Sequence, residues 1–329
     1  MSAEFRSEIF HAGELAVQER LGVRDQIGSF APRVVRDHMP EQHRSFYHAL
    51  PLLFIGAQDD KGWPWASILA GPDGFISSPD QKTLEVSSGV PPFDPLHGSL
   101  SVGSAVGVLG LEFHSRRRNR MSAELLSRSE EKLQLGVRQT FGNCPQYIHR
   151  RTADPIDPAL NHSADASCAA VLDDRTAAII AAADTMFIAS SFSDGSQGPQ
   201  TGADVSHRGG KPGFVEIVDS ETLCFPDYAG NNHFNTIGNL VMDPRAGLLF
   251  VDFESGGLLF ISVQAEIIWD GVAVDTVVGA QRLIRCHIRQ VRYVENGLSM
   301  RFGFIDHSPS FRSHPNFEPK LRAGKEKES

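Results

Sequence analysis

The sequence predicts a mainly β protein with a few helices, arranged as two tandem copies of one small, partly open β-barrel. Three observations predict it. Short apolar or alternating runs rich in Val, Ile, Phe and Leu recur along the chain, each bounded by turn residues. Landmarks of the first half return in the second at a nearly constant spacing. Helical periodicity is confined to four short segments.

Taken in order, residues 8–21 place Ile9, Phe10, Gly13, Val17 and Leu21 at helical spacing and stop at Gly22. Residues 40–50 open with Pro40 near the first helical position and end before Pro51. Strands follow at 52–57, 84–87 and 106–113, separated by turns such as Asp59-Asp60-Lys61-Gly62 and Gly71-Pro72-Asp73-Gly74. Residues 175–183 form a third, Ala-rich helix and 280–289 a fourth. Between them lie strands at 214–218, 247–253 and 258–265, with Glu254-Ser255-Gly256-Gly257 as a turn.

The repeat is read from landmarks. Gly74-Phe75-Ile76 meets Gly213-Phe214-Val215, and Thr83-Leu84 meets Thr222-Leu223, both 139 residues on; Gly107 meets Gly247, 140 on. Leu53-Phe54-Ile55 with Asp59 and Gly62 resembles Met186-Phe187-Ile188 with Asp194 and Gly195. A register of 139–140 held over three of these landmarks, with the Leu53 landmark at 133, points to internal duplication, with a period too long for a solenoid. The expected plan is an N-terminal helical arm (1–39), a first barrel (40–150), a linker carrying Pro155 and Pro158 (151–174), a second barrel (175–306) and a tail (307–329).

Composition removes several classes. The 329 residues carry 31 Lys and Arg against 40 Asp and Glu, a net charge of −9, which disfavours a phosphate-tracking surface for nucleic acid. Cys144, Cys168, Cys224 and Cys286 form no Cys-x-x-Cys pair, so zinc has no support. His38, His43 and His48 step by five residues and do not share a helical face, so no metal site is expected. The first residues mix acids and bases without an apolar stretch, and no run approaches about 18 apolar residues. The expectation is a soluble, cytoplasmic protein with no membrane partner.

Two polar clusters carry candidate chemistry. Ser115-Arg116-Arg117-Arg118-Asn119-Arg120 follows a strand, with Gln139 and Asn143 downstream; an all-Arg run leans toward anion binding, because the planar guanidinium matches phosphate or carboxylate, against the alternative of a solvated strand edge. In the second half Ser206, His207, Arg208 and Lys211 sit on a Gly-rich turn whose backbone N–H groups can join them around an anion. Beyond it, residues 226–240 gather Asn231, Asn232, Asn235, Thr236 and Asn239, too polar for core.

These residues resemble the pyridoxamine 5′-phosphate oxidase-like, FMN-binding split-barrel family, in its flavin-nucleotide-binding branch. The resemblance rests on Trp63-Pro64-Trp65-Ala66-Ser67, residues 71–75, Arg116–Arg120, residues 141–148, residues 206–214 and residues 226–240 with 245–250, and covers roughly 8–300. It implies six-stranded Greek-key split barrels, non-covalently bound FMN and a homodimer with flavin at the interface. It further implies Ser206, His207 and Arg208 on a strand facing the flavin, Asn235, Thr236 and Asn239 at the phosphate, and Arg245 helping to neutralise it.

Lys211, Asn232, Trp65, Ser67, Arg117, Arg118, Gln139 and Asn143 complete the expected cofactor contacts, with Trp65, Phe214 and Tyr228 as shields for one ring face. Motifs for the vitamer and its phosphate are absent, so oxidation of that vitamer is not implied. The expected function is an FMN-dependent oxidoreductase acting on a small molecule; the alternatives are a non-enzymatic flavin- or haem-binding module and a ligand-free assembly partner.

Overall fold

In the computed structural model, which describes residues 9–154, 166–195 and 198–311, the chain begins with three helices: α1 (Ala12–Arg20), α2 (Arg24–Val34) and α3 (Glu41–His48). A capping box starts α1: the His11 side chain accepts from the Gly13 N–H at 3.1 Å, and Glu14 accepts from the His11 N–H at 2.9 Å. Thr176 and Asp173 start α4 (Asp174–Ala182) in the same way.

The first sheet comprises β1 (Leu52–Gln58), β2 (Pro64–Ala70), β3 (Ile76–Asp80), β4 (Thr83–Val86), β5 (Ala105–Glu112), β6 (Arg117–Arg128) and β7 (Leu133–Asn143), in the order β2-β1-β5-β6-β7-β4-β3. Short strands β8 (Arg150–Ala153) and β9 (Ala166–Ala169) precede α4. The second sheet holds β10 (Thr185–Phe192), β11 (Gly202–Gly209), β12 (Glu216–Asp219), β13 (Thr222–Tyr228), β14 (Arg245–Val251), β15 (Leu258–Ile268) and β16 (Ala280–Val294). Its order is β11-β10-β14-β15-β16-β13-β12, with β9 added on β16. Helix α5 (Asn235–Met242) lies between β13 and β14, the one-turn helix α6 (Val272–Asp275) precedes β16, and β17 (Phe302–Asp306) pairs with β8. The two orders coincide when β1 is set against β10 and so on to β7 against β16.

The sheets meet through β1, β2 and β5 of the first and β10, β11 and β14 of the second. Phe54 of β1 and Phe187 of β10 stack between them, and one apolar cluster runs from Leu53 and Ile55 through Phe187 and Leu249 to Phe260. Glycine permits the close approach. A side chain at Gly107 would start 2.6 Å from the Asp204 Cα, and one at Gly247 would start 2.6 Å from the Trp65 Cα.

Several expectations are corrected. Residues 280–289 are the first two-thirds of β16, not a helix: Ile284, Cys286 and Ile288 alternate with Arg285, His287 and Arg289, and β13 and β15 bond to both edges. Helix α2 was not expected, since it contains Gly28 and Pro32. Each sheet path has seven strands where six were implied. Within residues 151–174 stand β8 and β9; residues 155–165, the tail from 312 and Glu8 of the first expected helix lie outside the described residues. No helix among the described residues is long and apolar enough to cross a membrane.

Candidate functional site

A cleft opens where the two halves meet. Its first-half wall is Arg118 and Arg120 on β6 with Asn143, Gln146 and Tyr147; its second-half wall is Ser206, His207 and Arg208 on β11, Asp227 and Tyr228 at the end of β13, and residues 229–237. It is narrow, with a free volume of about 90 Å³, or about 820 Å³ when the open solvent around it is counted.

The floor is built around the start of α5. Phe234, the N-cap, sits at φ 61° and provides no side-chain cap, and the first residues of the helix, Asn235, Thr236 and Ile237, line the cleft. Arg120 is ion-paired with Asp204 and donates from Nη2 to Ser206 Oγ at 2.7 Å and from Nη1 to Asn235 Oδ1 at 3.2 Å. Ser206 Oγ lies 2.9 Å from Thr236 Oγ1. Asp227 receives Arg208 at 2.7 Å and Arg282 at 2.5 Å.

Charges do not balance here. Arg118, Arg120, Arg208 and Arg282 face only Asp204 and Asp227, leaving two positive charges over. Neighbouring titratable groups do not compensate. Burial pushes the Glu14 carboxyl up to about 8, so it is protonated at neutral pH, and burial pushes His207 well below the usual imidazole range, so it is neutral. Burial, with Arg120 and Arg208 nearby, brings Arg118 down to about 9, still cationic at pH 7.

Donors are also left over. Both His207 ring nitrogens, in a residue only 5% exposed, and the Nε atoms of Arg118, Arg120 and Arg208 are buried without a partner among the described residues. At the mouth the Tyr147 and Tyr228 rings lie 5.2 Å apart and 31° from parallel, and Phe311 packs on Tyr147 at 5.5 Å. Tyr147, at φ 67°, donates from its hydroxyl to the Ala229 carbonyl at 2.9 Å, and Asn231 Nδ2 donates to Asn143 Oδ1 at 2.8 Å, so each half reaches across to the other.

Of the residues expected from sequence, the structure brings Arg118, Asn143, Ser206, His207, Arg208, Asn232, Asn235 and Thr236 together. Gln139 and Asn239 line an adjoining polar recess with His11 and Glu14, sharing Arg120 and Asn235 with the cleft. The others lie elsewhere. Arg117 stacks over Phe46, Lys211 is on the turn after β11, Arg245 pairs with Asp243 at 2.6 Å, and Trp65 Nε1 donates to Asp59 at 3.0 Å. Ser67 Oγ donates to Asp94 at 2.5 Å. Of the three expected shields only Tyr228 lines the cleft; Phe214 belongs to the second-half core.

Arg120, Tyr147 and Asp227 fall within the stretches read from sequence but not among the individually expected contacts. Arg120 could have been found from strand alternation, being two residues beyond Arg118, and Asp227 as an acid ending an apolar strand.

The mirror place, between β15 and β2, is filled. Phe54 pairs across to Leu109, which pairs to Arg120; Phe187 pairs across to Leu249, which pairs to Phe260. By the same registers Leu258 stands where Arg118 does, Ile68 where His207 does and Leu69 where Arg208 does. All four are buried in the shared core.

No known protein family and no curated protein matches the chain. Solved structures similar to parts of it include three bacterial proteins. A candidate pyridoxamine 5′-phosphate oxidase from Lactobacillus delbrueckii is 14% identical over 37% of this chain and 93% of its own, with a TM-score of 0.30. An FMN-binding protein from Syntrophomonas wolfei is 10% identical over 35% and 80%, at 0.26. A FAD-binding protein from Mesorhizobium loti is 11% identical over 39% and 97%, also at 0.26. At such scores the chemistry of the cleft rests on this chain's own residues.

Proposed function

We propose that the cleft binds FMN and that the protein is an FMN-dependent oxidoreductase acting on a small molecule. The observation that carries this reading is the surplus of two positive charges beside the uncapped start of α5. A phosphate monoester brings about −1.5 to −2 charges and three strong acceptors, which answers both the charge surplus and the unpartnered donors. Arg118 and Arg208 approach from opposite halves, with Thr236 and the α5 N–H groups beneath. Tyr147 and Tyr228 are aromatic groups at hand to cover a flat ring. When bound, the flavin supplies electron and hydride transfer; His207, being neutral, can hydrogen-bond a ligand without adding charge.

The matching strand orders and the reciprocal contacts of Gly107 and Gly247 support descent of the two halves from one duplicated barrel. One chain then forms the pair of barrels that the resemblance assigns to a homodimer. The apolar replacements at Leu69, Leu258 and Phe260 leave one site per chain.

His207 also favours a second reading, a non-enzymatic haem carrier, because a buried neutral imidazole with both nitrogens unpartnered suits iron. The absorbance of the purified protein separates the two. Bands near roughly 375 and 450 nm support flavin, whereas a dominant Soret band would replace it with haem.

A further inference from the structure

A second hollow shares no lining residue with the cleft. It has a volume of about 700 Å³ and lies between α4, the end of β14 and the C-terminal strand β17. Ala178, Ile179 and Ala182 of α4, Val251, Phe253 and Phe304 make its apolar walls. Phe304 is 52% exposed, a large apolar ring left open at the rim.

At the base sits Arg151, only 6% exposed. Its Nη2 donates to both Asp184 carboxylate oxygens at 2.6 Å, and its flat face lies 4.2 Å from the Phe253 ring centroid. Those contacts fix the guanidinium. They leave Nη1 buried without a partner among the described residues. Leaving a buried donor in that state is costly, and a ligand acceptor would satisfy it.

The surrounding charge decides what kind of acceptor fits. Arg151 and Arg175 are the two guanidinium groups of the lining, against the four carboxylates of Asp184, Asp252, Glu254 and Glu295. A carboxylate or phosphate would enter against that acidic excess. A cationic ligand would satisfy the rim but leave Nη1 unpaired and stand beside Arg151. A neutral carbonyl meets both conditions, accepting one hydrogen bond without bringing charge, and apolar walls favour an apolar body.

We propose that this hollow binds a neutral, largely apolar molecule bearing a carbonyl oxygen, with Arg151 Nη1 as the donor and the α4 face and Phe253 enclosing the body.

Nile red, which is neutral, flat and carbonyl-bearing, is a direct probe, titrated by fluorescence into the full chain with and without saturating FMN. Ala182→Trp, an exposed position on α4, should fill the hollow without disturbing the core. Expected are one saturable site per chain, no displacement by FMN, and about tenfold weaker binding in Ala182→Trp. Diphenylhexatriene, apolar but lacking an acceptor, and the anionic anilinonaphthalene sulfonate should each bind about tenfold more weakly than Nile red. No saturable binding, displacement by FMN, or an unchanged Ala182→Trp would overturn the site. Equal affinity for either comparison dye would overturn the ligand class.

Discussion

Phe54 and Phe187 stack on each other at the join between the two sheets, ring centroids 3.6 Å apart and 19° from parallel, and they hold the same place in their sheets. Phe54 pairs across to Ile68 and Leu109, as Phe187 does to His207 and Leu249. Equivalent residues touching each other is how an isologous interface looks when a two-fold relates its halves. The same relation makes the polar cleft intelligible. Its mirror place exists and is occupied by Leu69, Leu258 and Phe260.

Removing either ring should therefore weaken the whole protein. Phe54→Ala and Phe187→Ala are each expected to cost about 3–5 kcal/mol, and the double variant less than their sum, because both delete one contact. Urea unfolding of the four proteins measures this; strict additivity would separate the two rings energetically.

The close approach of the sheets gives a second test. Gly107→Ala and Gly247→Ala place a methyl group against backbone of the opposite half, and each is expected to destabilise by about 1–3 kcal/mol. Gly230→Ala, at a position with open space around it, is the control and should be near neutral. Thermal melts compare the three.

In the cleft, Arg118→Ala and Arg208→Ala each remove a guanidinium facing the proposed phosphate. Loss of one charge-assisted contact, about 1.5–3 kcal/mol, corresponds to roughly ten- to hundredfold weaker FMN binding. Arg117→Ala, whose side chain lies over Phe46 away from the cleft, should bind FMN as the parent does. Retention of full FMN affinity by Arg208→Ala would contradict its placement at the ligand.

Stability should peak at about pH 7, where the protons taken up by the unfolded imidazoles fall to the number kept by the buried carboxyls. Burial holds His11 and His233 at about 4 and also lowers His43, His149 and His207. Below the free imidazole value of 6.5 the unfolded chain takes up protons that the fold refuses. Stability is thus lost as pH falls from 6.5 toward 4, by up to roughly 3 kcal/mol for each of His11 and His233. Buried Glu14 and Asp94 act oppositely. Raised to about 8 and about 6, they keep protons in the fold that the unfolded chain releases near 4, so their contribution declines as pH rises. Five imidazoles outweigh the raised carboxyls of Glu14, Asp94 and Glu216 on the acid side, and above about 7 Glu14 carries most of the decline. A Tm profile should show this maximum, and Glu14→Gln should flatten the fall between about pH 7 and 8.

Much of the β framework was legible because burial and period agree. Residues 247–253 and 258–265 read as strands and are most of β14 and β15. Residues 280–289 misled because Ala280 and interleaved Arg suit a helix on propensity alone; pairing on both edges decides for a strand, which no local window contains. The Arg116–Arg120 run read as one anion-binding unit, but the strand sends its members to separate places. Arg116 pairs with Asp306, Arg117 covers Phe46, and only Arg118 and Arg120 meet the second half. Trp65 and Ser67 were expected at a ligand because their neighbours resemble a flavin motif; they stand in the half whose site is filled, a difference set by Leu258 and Phe260 nearly two hundred residues away.

The measurement that bears most directly on the cleft is calorimetric titration of the purified, ligand-free protein with FMN and with riboflavin, which lacks the phosphate. Expected are one FMN per chain and an affinity for FMN at least about a hundredfold above that for riboflavin, since the surplus guanidinium groups and the α5 N–H groups act on the phosphate. Equal affinities for the two, or two FMN per chain, would contradict the assignment.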